Sequence, residues 1–184
     1  MRWVADAKAE GYHRTNVLAF LSLWAAHEAG HENVMAAILE TVRSSALAAS
    51  AKFKRGRFDV DDWPWPEDRC LDLAQRLDQK AKEAIPDGGW DAAGRLATAY
   101  GWLGCILKIP PDAAQTFNEA SMVRNVLLHR YGRLSGRDIQ RAPHLATHAN
   151  GAVQLSGERL KLYYRAVIAV LNAATEAVAA AGCR

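Results

Sequence analysis

What most constrains this chain is the period of its apolar residues. Val17, Leu21, Trp24, Met35, Ile38 and Val42 recur at helical spacing, and so do Leu160, Tyr163, Tyr164, Val167, Ile168 and Leu171. Such stripes put apolar side chains on one face of a helix. No segment of useful length alternates with period two, so the pattern predicts helices packed on helices and no sheet.

Proline and glycine divide the pattern. After a short N-terminal stretch, a long first helix is predicted from about Thr15 to Lys54, ended by Gly56. Residues 59–66 contain Trp63-Pro-Trp-Pro66 and form a loop, because proline lacks the amide proton a helix needs. Further helices are predicted over 67–85, 91–109 and 112–132, with stops at Pro86-Asp-Gly-Gly89, Pro110-Pro111 and Gly132. Asp112 is read as the N-cap of the 112–132 helix. A connector over 133–155 leads to a long last helix after Ser156. The expectation is an all-α, single-domain bundle of about five helices over residues 1–184, with a long first and last helix.

The chain has 184 residues, half of them hydrophobic, enough for one domain with its own core. Its net charge of +3 names no partner, but the local balance is uneven. Residues 121–141 carry Arg124, Arg130, Arg133, Arg137 and Arg141 against one acid, Asp138. Lys52, Lys54, Arg55 and Arg57 form a second basic run. Patches of this kind suit phosphate backbones or serve as solvated faces. Cys70, Cys105 and Cys183 are odd in number and scattered, as expected of reduced thiols. The apolar run 17–26 is too short to span a bilayer, and the C-terminal run is interrupted by Asn172 and Glu176. The expectation is a cytoplasmic protein with no membrane partner.

Two motifs carry chemistry. In Ser121-Met-Val-Arg-Asn-Val-Leu-Leu-His-Arg-Tyr-Gly132, Arg124 and His129 stand on one helix just before its stop. Arginine holds phosphate in a planar fork, and histidine moves protons near neutral pH. This arrangement resembles the R-x(4–6)-H signature of the HEPN family. The order of helix, motif, connector and closing helix also follows that family from about Asp112 onward.

The resemblance implies a small all-helical, dimeric, metal-independent endoribonuclease of toxin or defence type. Its cleft would form where two copies bring their motifs together. Arg124, Asn125 and His129 would be catalytic, and Ser121, Arg130 and Arg133 would bind substrate. RNA would be the substrate, and no cofactor is called for. A cognate antitoxin such as a small nucleotidyltransferase is a further implied partner, with Tyr131 as its regulatory target; on the helical wheel Tyr131 reads instead as core. Other members of the family are silent dimerisation or nucleotide-binding modules, which leaves a non-enzymatic alternative.

The second motif, His27-Glu-Ala-Gly-His31, is an H-E-x-x-H, the zinc metalloprotease signature. The extended form of that motif wants glycine at Val34 and histidine at Ala37, and both are missing; Glu119 is the downstream acid that fits in part. On the wheel, His27, Glu28 and His31 interrupt the apolar stripe, and so does Arg124 on its own helix. Buried charges need partners, so Glu28 is expected to support Arg124 by pairing with it. One geometric difficulty stands: five residues turn a straight helix by about 140°, so Arg124 and His129 do not share a face.

Overall fold

The structure is a computed structural model that describes residues 8–53, 58–59, 61–87 and 89–182. Lys54, Arg55 and Arg57 of the second basic run and the glycine stop Gly56 lie outside the described residues, as does Cys183; Lys52 of that run is described and lies over the Trp102 ring at 5.3 Å. Seven helices follow one another among the described residues: α1 (His13–Thr41), α2 (Arg43–Ser50), α3 (Glu67–Ala84), α4 (Ala92–Trp102), α5 (Pro111–His129), α6 (Gly136–Arg141) and α7 (Gly157–Ala180). The described residues contain no strand, only two isolated bridges, Arg133 with Ala152 and Thr147 with Val153. The all-α class holds, and the described residues contain seven helices where about five were expected for the chain.

α1 is the centre of the bundle and packs against α3, α5 and α7, while α5 packs along α7 and α4 bridges α3 to α5. Its buried stripe runs Asn16, Phe20, Trp24, His27, His31, Met35, Ile38 and Leu39, mostly at steps of three and four. In its first turns the stripe is offset by one residue from the expected one, so Val17 and Leu21 are half-buried. Phe20, Met35, Leu39, Leu73, Tyr100, Phe117 and Tyr163 are fully enclosed in one core.

Three boundaries differ from expectation. The first helix breaks at Val42, whose backbone is extended (φ −117°, ψ 97°). Thr41 and Val42 are β-branched and favour that conformation. The break is used on both sides: Trp63 Nε1 donates to the Leu39 carbonyl at 3.0 Å, and Ser45 Oγ donates to the Leu103 carbonyl at 2.6 Å. α4 ends at Trp102, seven residues before Ile109, because Gly104 takes φ +82° and the Cys105 amide closes on the Tyr100 carbonyl. The chain then continues outside any helix as far as Pro110, with Cys105 and Leu107 buried and Ile106 75% exposed. This short segment does alternate with period two, though it pairs with no strand. Finally, the connector holds α6, started by a capping box between Ser135 and Asp138. Asp112 lies in the first turn of α5; the N-cap there is Pro110.

Candidate functional site

α5 carries the Arg124–His129 pair. Pro111 at its first position presets the backbone angle, and the helix runs unbroken to His129. It closes with the amides of Arg130 and Gly132 both donating to the Val126 carbonyl, with Tyr131 and Gly132 at φ +51° and +79°. The ending is therefore regular, with no local widening to narrow the angle between Arg124 and His129. They remain about 140° apart around the axis.

Arg124 reaches inward across the bundle. Its Nη2 donates to Glu28 Oε2 at 3.0 Å and its Nη1 to Asn125 Oδ1 at 3.0 Å. This is the pairing the helical wheels implied, but it is not deeply buried: the Glu28 side chain is 43% exposed and that of Arg124 26%. Two acceptors occupy a guanidinium with five N–H donors, so donors remain. His129 is exposed at the helix end. Arg133 is exposed and makes no ion pair among the described residues.

Other assignments on this helix change. Ser121 is 4% exposed and does not present a hydroxyl to a substrate at the surface. The wheel reading of Tyr131 as core is wrong. Its left-handed backbone turns the ring out of the bundle, and it is 95% exposed. Asn118, on the same helix, ties α5 to α4: its side chain accepts from the Ala93 amide at 2.8 Å and donates to Asp91 at 3.0 Å.

The arginine run is less basic in space than in sequence. Arg130 donates to Asp138 at 2.8 Å, and Arg137 and Arg141 both pair with Asp87. Burial pushes the Asp138 carboxyl up, but its bonds to Ser135 and Arg130 outweigh this and hold it below its usual value. With Arg124 on Glu28, four of the five arginines have a carboxylate partner. Two of the three acids involved, Glu28 and Asp87, come from outside the run.

His27 and His31 lie inside the bundle, 4% and 3% exposed. Their rings meet edge to face at 4.4 Å, and His27 also packs on Trp24 and Phe117. His31 Nδ1 lies 2.7 Å from the Tyr100 hydroxyl. Burial depresses both imidazoles, to about 3 for His27, with the His31 ring adding to it, and to about 4 for His31. Both are neutral at ordinary pH. A half-open cleft of about 90 Å³ lies beside them between α1, α3, α4 and α5.

The intervening Glu28 is committed to Arg124 and does not stand ready to activate a water. Glu119, the acid that fitted the zincin pattern, is taken up elsewhere. It is buried and accepts from Tyr163 Oη at 2.7 Å, with His144 Nε2 at 2.6 Å and Arg159 Nη1 at 3.2 Å. Among the described residues no three His, Cys, Asp or Glu side chains gather as metal ligands.

Sequence reasoning missed the Glu119 cluster and the Asp87–Arg137–Arg141 clamp, in which Arg141 also lies over Trp90 at 5.0 Å. The one available signal was a lone acid on the apolar face of the 112–132 helix. No helix among the described residues is long and apolar enough to cross a membrane. Comparison of the chain with family models, with curated proteins and with solved structures finds no match.

Proposed function

We infer that this protein is a metal-independent endoribonuclease of toxin or defence type, acting in the cytoplasm as a homodimer. The observation that carries the reading is the end of α5. His129 and Arg133 stand exposed there, and Arg124 is pre-oriented by Glu28 and Asn125 with N–H donors to spare. The resemblance of Arg124-Asn125-x3-His129 to the HEPN signature supplies the reaction class.

Internal attack of a ribose 2′-hydroxyl on the adjacent phosphate needs a proton acceptor, a proton donor and positive charge on the phosphorane oxygens. His129 takes the 2′-hydroxyl proton as the 2′-oxygen bonds to phosphorus and delivers it to the 5′-oxygen that leaves as the P–O5′ bond breaks; Arg124 stabilises the phosphorane oxygens and Asn125 orients Arg124. Because Arg124 and His129 lie on different faces of α5, the composite site takes one contribution from each of two copies. Arg130 and Arg133 bind the RNA backbone, Arg130 after releasing Asp138. Tyr131, fully accessible, is the modification target of a small nucleotidyltransferase antitoxin.

A second reading, a silent dimerisation or nucleotide-binding module, is favoured by one observation: Arg124 already has a carboxylate partner in its own chain.

The test is incubation of purified protein with mixed RNA in EDTA, wild type beside His129→Ala. Wild type leaves 2′,3′-cyclic phosphate ends, and His129→Ala loses about 10²–10⁴ in rate. Arg124→Lys also fails, because an ammonium lacks the planar fork. Intact RNA with wild-type protein, or equal cleavage by His129→Ala, refutes the ribonuclease reading and leaves the module.

A further inference from the structure

The connector between α6 and α7 is tied to the start of α1 through an imidazole. The Leu155 amide donates to His13 Nδ1 at 2.9 Å, and Asn16 Nδ2 donates to the Leu155 carbonyl at 3.0 Å. A backbone N–H can only donate, so this Nδ1 holds a lone pair and the neutral ring carries its proton on Nε2. His13 is the first residue of α1, and the ring of His148 meets it edge to face at 4.7 Å.

His148 belongs to a loop that closes on itself. Its amide donates to the Ala152 carbonyl at 2.7 Å, and the Gln154 amide donates to the Ala146 carbonyl at 2.8 Å. The Val153 amide donates to the Gly132 carbonyl at 2.8 Å, which seats the loop against the end of α5. Val153 and Leu155 are each 1% exposed, so apolar burial holds the loop as well. The contact with α5 is a backbone bond that does not titrate. The contact with α1 runs through a group that does.

A protonated imidazole carries an N–H on both nitrogens and cannot accept. The Leu155 amide would then face a second donor. The charged groups that bear on His13 among the described residues are His148 of the loop, Glu10 just before α1 and Arg14 of α1. Glu10 favours the charged ring, but it is paired with Arg14 at 3.3 Å. Burial first and His148 next prevail, and His13 is held below its usual value of 6.5. The closed loop therefore takes up a proton less readily than an open one. Closure is at full strength above about 6.5 and weakens as pH falls from there. His144, nearer α6, works the other way, because a proton on it strengthens its bond to the Glu119 carboxylate.

We propose that His13 latches the loop 146–155 to the start of α1 while its ring is neutral and releases the Leu155 amide when the ring takes up a proton, with His148 as the second charge that drives the two apart. Acid thus frees the α7 end of the connector while its α6 end stays on Glu119. The latch is independent of the ribonuclease reading and would stand if that reading failed.

The experiment is amide hydrogen exchange of the whole protein, with the Val123 amide in the middle of α5 as the core reference. Leu155 should exchange ahead of Val123 at every pH, as a local opening does. From about pH 7.5 to about pH 5.5 its protection should fall roughly three- to tenfold, the worth of one hydrogen bond. In His13→Asn the side-chain oxygen takes the place of Nδ1 and does not titrate, so protection of Leu155 should hold level over that range. His148→Gln removes the second charge and should shrink the fall; it serves also if the first variant does not fold. Exchange of Leu155 in step with Val123, level protection in wild type, or an undiminished fall in either folded variant would each overturn the proposal.

Discussion

Acid should unfold this protein through His27 and His31, and the size of the effect follows from their burial. Folded, the two imidazoles titrate at about 3 and about 4; exposed in the unfolded chain they return to 6.5. The unfolded state therefore binds more protons below 6.5, and stability falls as pH drops from there until the folded values are reached. Between about pH 7 and pH 5 each histidine removes roughly 2 kcal/mol, on the order of 4 kcal/mol together, and the slope approaches ~2.7 kcal/mol per pH unit.

Against a typical stability of about 5–15 kcal/mol, that loss is large. His13 is also held below its usual value, by burial and by His148, and acts in the same direction. Asp138, held low in the fold, loses its contribution only as pH falls through the carboxylate range, so the two effects separate. The assay is urea denaturation at about pH 7 and pH 5, wild type beside the double variant His27→Leu/His31→Gln, whose new side-chain amide still offers the Tyr100 hydroxyl a partner. The variant should lose most of the pH dependence. If it loses as much stability as wild type over this range, the buried histidines are not its source and the depressed values are wrong.

Three further predictions concern single side chains. Glu28→Gln should cost under about 1 kcal/mol, since the pair with Arg124 is partly exposed; a loss near the ~3–5 kcal/mol of a buried pair, read from thermal melting, would contradict the geometry. Tyr163→Phe removes one donor from buried Glu119 and should cost about 1–3 kcal/mol in urea unfolding; an unchanged midpoint would mean His144 and Arg159 satisfy that carboxylate alone. Tyr131→Ala should change stability by no more than about 0.5 kcal/mol, because the ring is 95% exposed; a larger drop would return Tyr131 to the packed role its wheel position implied.

Much of the architecture was legible because its signals are local. The 3.6-residue period acts within one helix, and Pro66, Pro86, Pro110 and Gly132 act on the backbone beside them, so the ends of α3 and α5 fell within a few residues of expectation. The wheels of α1 and α5 even showed that Glu28 and Arg124 both interrupt apolar faces, which is why their pairing across 96 residues was foreseeable.

Where expectation failed, the deciding partner was distant in sequence. The break at Val42 brings Ser45 to the Leu103 carbonyl, 58 residues away, and frees the Leu39 carbonyl for Trp63. Asp87 pairs with both Arg137 and Arg141 across spans of 50 and 54 residues, so of the five arginines in the run only Arg133 is left without an ion-pair partner among the described residues. Ser121 went in because α5 packs on both α4 and α7, and a helical wheel cannot say how many neighbours a helix has; Tyr131 went out because the helix has already ended at His129 and its backbone is left-handed there, so the wheel no longer applies. The sequence by itself determined that the chain is helical and where most of its helices stop, since backbone sterics and apolar period need only near neighbours. Which charges are cancelled, which imidazoles are driven neutral and which polar atoms share a cleft was decided by the tertiary structure alone, because pairing and desolvation depend on what packing brings within a few ångströms.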